Sequence, residues 1–205
     1  MRIAMIGTGN VGKALGPAFQ RAGHDIVYGV RDPADPRHAG GDFRLVRDAA
    51  DWAHTIVLAV NWGQIDEVLA DCGEMAGKIL IDCTNPLSFG PEGIALVLGF
   101  DTSGGEIVAS KTKAKTVKTL NHVGSPVMAS AHRYATRPIQ FVSGDDAQAR
   151  QVVSGLLRDI GFEPIDYGGI ENARKLEPLA ILWIDQAYKH GMSLTNALTF
   201  IGLED

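Results

Sequence analysis

The stretch that decides the fold is residues 2–12, which read Arg2-Ile3-Ala4-Met5-Ile6 and then Gly7-Thr8-Gly9-Asn10-Val11-Gly12. The first part is apolar and too short for a helix, which is typical of a strand buried on both faces. The second part has the spacing Gly-x-Gly-x-x-Gly, and a predicted helix over residues 11–22 follows it. A glycine hexapeptide alone is a weak signal, but between a buried strand and a helix it indicates a dinucleotide site.

Each glycine of this turn has its own expected task. Gly7 permits the tight turn, Gly9 leaves room for a pyrophosphate at the backbone, and Gly12 lets helix and strand pack closely. The phosphates then lie on free N–H groups at the positive end of the helix. The alternative is a strand-to-helix turn without a ligand.

The end of the second strand indicates which dinucleotide is bound. NAD enzymes place a carboxylate there, about 20 residues beyond the glycines. This chain has Gly29-Val30-Arg31-Asp32, and the Arg31 guanidinium suits a 2′-phosphate. Asp32 is the argument for NAD, but we expect it to turn away into the Asp32-Pro33 loop. The sequence therefore favours NADP(H).

Strands and helices alternate through the first part of the chain. Further strands are predicted at residues 25–30, 55–60, 78–83 and 116–120, with a helix at 63–72. This rhythm predicts an α/β, Rossmann-type, doubly wound and mainly parallel sheet with helices on both faces. We expect a dinucleotide-binding domain over residues 1–122.

The remainder, residues 123–205, is predicted to be a smaller C-terminal α/β part. Its expected strands are 138–143 and 163–167, and its expected helices are 147–160 and 171–190. Pro178 lies inside the last helix and should kink or restart it.

The segment over residues 85–102 has little periodicity, and connections of this length are usually functional or disordered. A capping box, Ser103-Gly104-Gly105-Glu106, follows and predicts a short helix. Lysines at 111, 113, 115 and 118 form a basic cluster that we interpret as a solvated helix end. Steering of an anionic ligand is the alternative.

Three further loops follow predicted strands, where ligands bind in parallel sheets. They contain Asn61-Trp62, Asn85-Pro86 and Asn121-His122. Trp62 is expected either to stack on a ligand ring or to cap the edge of the core. Asn85 is a candidate hydrogen-bonding partner of a carboxamide or a substrate carbonyl, and a structural role competes with a ligand role for His122.

Composition excludes several classes of protein. The 205 residues carry a formal charge of −5, which argues against nucleic-acid binding. No apolar run approaches the ~20 residues needed to cross a bilayer. Only Arg2 precedes the first apolar run, so we expect no secretory signal and no membrane association. The two cysteines lack metal or redox spacing, which indicates reduced thiols and a cytoplasmic location.

The chain shows no nucleophile signature and no cluster of His or Cys at metal-ligand spacing. The sequence thus predicts a cofactor site without a metal and without an identifiable catalytic acid or base. Hydride transfer between two bound rings fits this pattern, because the cofactors supply the chemistry and the protein positions them.

The whole set of motifs resembles the family of NADP oxidoreductases that depend on the deazaflavin coenzyme F420, whose fold also forms the reductase domain of six-transmembrane metalloreductases. The likeness covers nearly the whole chain. It rests on residues 7–12, Gly29-Val30-Arg31, Val60-Asn61-Trp62, Asp82-Cys83-Thr84-Asn85-Pro86, Val117-Lys118-Thr119-Leu120-Asn121 and Leu176-Glu177-Pro178-Leu179.

The resemblance implies hydride exchange between NADP(H) and a small-molecule redox acceptor, a deazaflavin or a flavin, that lies over the nicotinamide. It implies that Thr8, Asn10 and Arg31 hold phosphates. The C-terminal part would complete the acceptor cleft, with Asn121 and His122 as acceptor-binding residues. Many members have Asn-Thr where this chain has Asn121-His122. A homodimer is expected, and the alternative function is an NADP(H)-binding sensor without turnover.

Overall fold

Six parallel strands form the central sheet of the computed structural model, which describes residues 1–38, 40–91 and 93–202. The strands of this sheet are β1 (Arg2–Ile6), β2 (Asp25–Val30), β3 (Phe43–Leu45), β4 (Thr55–Leu58), β5 (Ile79–Asp82) and, after a hairpin of two strands, β8 (Lys115–Lys118). Their spatial order is β3-β2-β1-β4-β5-β8, and each neighbouring pair is parallel. From β1 the strands are added towards one side of the sheet up to β3, and from β4 they are added towards the other side. A crevice is expected where this order reverses, between the carboxyl ends of β1 and β4.

Helices cover both faces of the sheet, as the sequence predicts. They are α1 (Asn10–Arg21), α2 (Val46–Trp52), α3 (Ile65–Cys72), α4 (Gly104–Ser110), α5 (Ser125–Ser130), α6 (Ala147–Asp159) and α7 (Ala173–Tyr188). Buried side chains of α1, α5 and α6 pack into one apolar core, and those of α2, α3 and α4 pack into a second. The predicted doubly wound α/β fold is confirmed.

A small parallel sheet completes the C-terminal part. It pairs β9 (Ile139–Val142) with β10 (Glu163–Asp166), close to the strands predicted there. A single bridge between Lys118 and Ser143 joins it to the end of β8. The first apolar core extends from Ile3 to Phe162, and the division at residue 122 stays a prediction.

An edge strand of the central sheet and the helix that follows it have no counterpart in the sequence prediction. The strand β3 and the helix α2 lie in a region for which we predicted no element. The strand has only three residues, Phe43–Leu45, and the helix two turns, so neither offers enough residues for a clear period. Predicted strand 116–120 is also too long, because β8 ends at Lys118 and Leu120 has a positive φ of 62°.

The segment over residues 85–102 is not an irregular connection. It contains an antiparallel hairpin of β6 (Leu87–Gly90) and β7 (Gly93–Leu96), with Glu92 outside the described residues. Of the predicted kink or restart at Pro178, the restart is wrong, because α7 runs through Pro178 as one helix, and the kink stays a prediction. The capping box of Ser103 and Glu106 is present, with the Ser103 hydroxyl accepting from the Glu106 N–H.

The described part of the chain contains no helix long and apolar enough to span a membrane. Over the same residues, no three His, Cys, Asp or Glu side chains converge as metal ligands would.

Candidate functional site

Two of the three glycines after β1 are required by the chain itself. Gly7 has φ +109°, and a Cβ there would lie 2.3 Å from the carbonyl oxygen of Ala59. A Cβ on Gly12 would lie 2.1 Å from the Gly7 carbonyl oxygen. Side chains at these positions would clash with backbone, so Gly7 and Gly12 shape the turn.

Gly9 is different, because nothing in the protein requires a glycine there. A Cβ on Gly9 would meet no atom within 4 Å, and its φ of −73° and ψ of −167° suit any residue. Gly9 is the N-cap of α1, and among the described residues no side chain caps this helix. The turn therefore presents bare backbone and the first N–H groups of α1 to an open side, which is how helix ends bind phosphate.

An open cleft of about 430 Å³ lies beside this turn. Its lining includes Gly7, Thr8 and Gly9 from the turn, Arg31 from the end of β2 and Asn61 from the end of β4. Asn10 is exposed at the start of α1, while Val11 packs partly against the core. The structure thus brings Gly7, Thr8, Gly9, Arg31 and Asn61 together, while Trp62, the other predicted residue after β4, is not part of this lining.

Arg31 and Asp32, which follow the end of β2, both line this cleft. Both are exposed, and the Asp32 carboxylate accepts the Ala34 N–H at 2.9 Å. This turn occupies one Asp32 oxygen, but Asp32 does not leave the cleft, so its turning away from the site stays a prediction. Arg37 also lines the cleft, but its Nε donates to Asp35 at 3.0 Å, and these hydrogen bonds hold the pKa of Asp35 well below its usual range.

The predicted residues after β5 and β8 form a second group outside the lining of this cleft. The Asn85 amide donates to the Asn121 carbonyl at 2.7 Å, and the Asn121 amide donates to the Asn85 side chain at 3.0 Å. Asn121 also donates to the Leu176 carbonyl at 3.0 Å. A Cβ built on Gly104 would lie 3.1 Å from the half-buried indole of Trp62.

Pro86 lies at the same corner as Trp62. It is buried, and its Cδ would lie 3.2 Å from a Cβ on Gly104. These two rings therefore pack over the start of α4, and Trp62 also contacts the second apolar core.

His122 is buried rather than open to a ligand surface. It is 1% exposed, and its Nδ1 lies 3.3 Å from the Asn121 side-chain oxygen. Burial, with a smaller contribution from the nearby Lys118 charge, lowers the pKa of His122 to about 4, so the ring is neutral at pH 7. Within the described residues Nε2 has no hydrogen-bond partner.

Sequence reasoning missed a buried cluster of charges beneath this group. Asp82, Lys118 and Glu177 are 0–2% exposed, and Lys118 Nζ lies 3.0 Å from a carboxylate oxygen of each partner. Burial alone would lower the pKa of Lys118, but the two carboxylates together raise it. The expectation that Lys118 belongs to a solvated helix end is wrong.

A signal for the pair was present in the sequence. Asp82 and Lys118 are the last residues of β5 and β8 and stand opposite each other in the sheet. Opposite charges at matching ends of two apolar strands predict such a contact once the strands are known to be neighbours. Glu177 comes from a helix about 60 positions further along the chain, and no spacing connects it to either strand.

A second, apolar pocket lies in the C-terminal part. Its volume is about 360 Å³, and its walls include the rings of Phe141, Tyr167 and Phe200. Lys175 stands over the Tyr167 ring at 5.5 Å. Leu176 lines this pocket while its carbonyl accepts from Asn121, so the pocket adjoins the Asn85–Asn121 pair.

Residues 2–86 match the model of the coenzyme F420-dependent NADP oxidoreductase family. Over 98% of its length the chain is similar to the solved structure of a provisionally assigned F420-dependent NADP reductase from Arthrobacter sp. FB24, with 32% identity and a TM-score of 0.88, covering all of that chain. The chain belongs to the F420-dependent NADP oxidoreductase family.

Curated relatives extend the likeness. The F420-dependent NADP reductase of Methanothermobacter thermautotrophicus is 28% identical, over 96% of this chain and 95% of that protein. The metalloreductase STEAP3 of Rattus norvegicus is also 28% identical over 88% of this chain, but the chain spans only 37% of that longer protein. This family consists of NADP-dependent oxidoreductases. The glycine turn, the cleft and Arg31 of this chain fit NADP(H).

Proposed function

We propose that the protein transfers a hydride between NADP(H) and a deazaflavin or flavin acceptor. The observation that carries the proposal is Gly9. It is a glycine without a steric or conformational reason of its own, at an uncapped helix start and in one cleft with Arg31. A phosphate approaching the backbone supplies the missing reason.

Arg31 supports NADP(H) over NAD(H). Its guanidinium is exposed at the end of β2, and a planar fork of donors matches a phosphate group. Asp32, whose carboxylate would be needed for a ribose hydroxyl, lines the same cleft but uses one oxygen in its own turn. Thr8 and Asn61 complete the lining around the central part of the dinucleotide.

The order of the strands supports a position for the reactive end of the dinucleotide. With the phosphates at β1 and the 2′-phosphate at β2, the nicotinamide extends over β4 and β5. NADP(H) supplies the hydride chemistry when bound. The chain's own residues there, Trp62, Asn85 and Pro86, would hold the ring in place and keep water from it.

The acceptor would lie on the far side of the Asn85–Asn121 pair. Support comes from the apolar pocket there, whose aromatic walls suit a flat ring. Asn121 connects the two sides by its hydrogen bonds to Asn85 and Leu176. Buried His122 would act from beneath this pair rather than by open contact.

A sensor that binds NADP(H) without turnover is the second candidate function. The observation that favours it is that the Asn85 side chain is engaged within the protein: it donates to the Asn121 backbone carbonyl and accepts from the Asn121 amide. Such a protein would keep the glycine turn and Arg31 and would need no acceptor pocket.

Anaerobic oxidation of NADPH by the purified protein, with F420, FMN, FAD and riboflavin as acceptors, distinguishes the two. Turnover with at least one acceptor supports the reductase, and tight NADPH binding without turnover supports the sensor. Gly9→Val should abolish NADPH binding in a folded protein. Gly155→Ala is the matched control, because a Cβ there also meets nothing within 4 Å, and it should leave binding unchanged. A folded Gly9→Val variant with normal NADPH affinity would contradict the site.

Association into a homodimer is part of the same proposal. Its support is the set of large apolar side chains exposed near the C-terminal end, including Leu182, Phe200 and Ile201, since exposed apolar patches mark interaction sites. Sedimentation equilibrium measures the state directly, and a monomer at all concentrations would contradict it.

A further inference from the structure

Three buried charges form one closed network at the carboxyl ends of β5 and β8. Lys118 Nζ donates to Asp82 at 3.0 Å and to the Thr84 carbonyl at 2.6 Å, and it lies 3.0 Å from Glu177 Oε1. Its three N–H groups thus have three partners. The side chains of Lys118 and Asp82 are fully buried, and that of Glu177 is 2% exposed.

The remaining carboxylate oxygens bind backbone. Asp82 Oδ1 accepts the Thr84 N–H at 2.9 Å and the Thr84 hydroxyl at 2.7 Å. The Glu177 oxygens accept the N–H groups of Gly104 and Gly105, each at 3.0 Å. The network therefore ties together four separate pieces of chain: the loop after β5, the end of β8, the start of α4 and the middle of α7.

Stability alone gives little reason for such an arrangement. Moving charges out of water is costly, and replacing a buried ion pair with well-packed apolar residues is often neutral or stabilising. The neighbouring Thr119 hydroxyl is buried without a partner among the described residues, so burial in this region does not by itself bring a partner to every polar group. What the charges add is a fixed geometry for the loops that they hold.

Those loops carry the amide pair. Thr84 directly precedes Asn85, and Glu177 directly follows Leu176, whose carbonyl accepts from Asn121. Asn85 therefore follows a residue of the network directly, and Asn121 donates to the carbonyl of the residue that directly precedes Glu177. A Cβ on Gly104 would lie 3.0 Å from Glu177 and 3.1 Å from Trp62, so the same network also borders the Trp62 corner.

We propose that Lys118 is a positioning residue for hydride transfer. With Asp82 and Glu177 it holds Asn85 and Asn121 at the boundary between the nicotinamide and its acceptor. This inference rests on the proposed function for its acceptor, but the placement of the nicotinamide ring can be measured without one. A displacement of about 1 Å at such a boundary costs rate much more than affinity.

The test uses the full chain with the neutral triple variant Asp82→Asn/Lys118→Met/Glu177→Gln, which leaves no unpaired buried charge. Thr119→Val is the control, since it alters the adjacent buried position without touching the network. Fluorescence of the reduced nicotinamide reports how rigidly the bound ring is held, and calorimetry reports NADPH affinity. Steady-state rates and the isotope effect of NADPH deuterated at its transferred position report the hydride step.

In the folded triple variant we expect nearly unchanged NADPH affinity, because the phosphates stay at the glycine turn. Bound-nicotinamide fluorescence should fall towards that of free NADPH. With an acceptor, kcat should fall about 100-fold with little change in KM for NADPH, and the isotope effect should rise. Thr119→Val should match the wild type throughout.

Wild-type fluorescence, together with wild-type kcat where turnover exists, would overturn the inference. If the wild type turns over no acceptor, the proposed function fails, while the fluorescence still decides the role of Lys118. If the triple variant does not fold, Glu177→Gln is compared instead. It keeps the Lys118–Asp82 pair and should show the same changes to a smaller extent, and a wild-type result there would overturn the inference as well.

Discussion

The turn after β1 and the polar ends of β5 and β8 lie at the same edge of one sheet, but the first exposes backbone and the second buries charged side chains. The turn exposes backbone, as at Gly9, where a Cβ would meet nothing within 4 Å. The other region consists of buried side chains around Lys118, which are fully paired. The first region is open and exposes backbone, whereas the second is closed and its charges are paired within the protein.

This difference predicts which property a substitution in each region should change. A substitution in the open turn should change binding and leave folding intact. A substitution in the closed network leaves charges without partners in a dry interior, so it should reduce stability before it affects binding. Four variants test this contrast, and they are ordered by the size of the expected effect.

Lys118→Met should produce the largest loss. It leaves Asp82 and Glu177 buried without their shared cation, and removing one member of a buried pair costs about 3–5 kcal/mol. Urea unfolding at pH 7 measures the loss, with Thr119→Val expected to be neutral. A loss below about 1 kcal/mol would show that the network is not a closed unit and would break the contrast with the turn.

His122 should make stability depend on acid. Its pKa is lowered to about 4 in the folded chain, against 6.5 ordinarily, so folding favours the neutral ring. The contribution of the neutral ring to the free energy of unfolding is fully present above pH 6.5 and is lost as the pH falls towards 4. Near pH 4.5 the free energy of unfolding should be lower by about 2–3 kcal/mol.

His122→Asn removes this dependence, so the difference in stability between variant and wild type should change between pH 7 and about pH 4.5. Parallel unfolding curves across that range would contradict the assignment. Turnover with a flavin and a deazaflavin, measured on the same samples, separates packing from function. Unchanged rates with a lowered melting temperature would remove His122 from the acceptor side.

Arg31→Ala should weaken NADPH without reducing stability. The loss of a hydrogen bond to a charged group costs about 1.5–3 kcal/mol, which corresponds to about one to two decades in the dissociation constant. NADH, which has no 2′-phosphate, should bind as before. Asp32→Asn is the matched control, because an amide oxygen can still accept the Ala34 N–H. Equal weakening of NADPH and NADH would argue for a general effect of charge.

Ser103→Ala should have the smallest effect, about 1 kcal/mol of stability. The Ser103 hydroxyl accepts the Glu106 N–H at 3.2 Å and donates to its carboxylate at 2.7 Å, so α4 has the cap that α1 lacks. Thermal unfolding measures the loss, and Ser110→Ala at the other end of α4 should cost less. Reduced NADPH affinity without a change in melting temperature would show that α4 is not merely a support.

Local sequence determined the open half of this protein. A short run of apolar residues followed by Gly7, Gly9 and Gly12 specifies strand, turn and helix within contiguous residues. Gly7 and Gly12 are required sterically, whereas Gly9 leaves the backbone exposed. Arg31 at the end of β2 was also predictable, since the length of a strand sets which residue stands at its tip. The doubly wound fold followed from the alternation of strands and helices.

Only the tertiary structure decided the closed half. Lys118 looked like one of several surface lysines, and burying it depends on Asp82 from a neighbouring strand and on Glu177 from α7. The burial of His122, which lowers its pKa and keeps the ring neutral, likewise depends on the tertiary packing around it. A buried charge is stable only if its partners arrive in three dimensions, and no local pattern encodes partners that lie about 36 and 59 positions away along the chain.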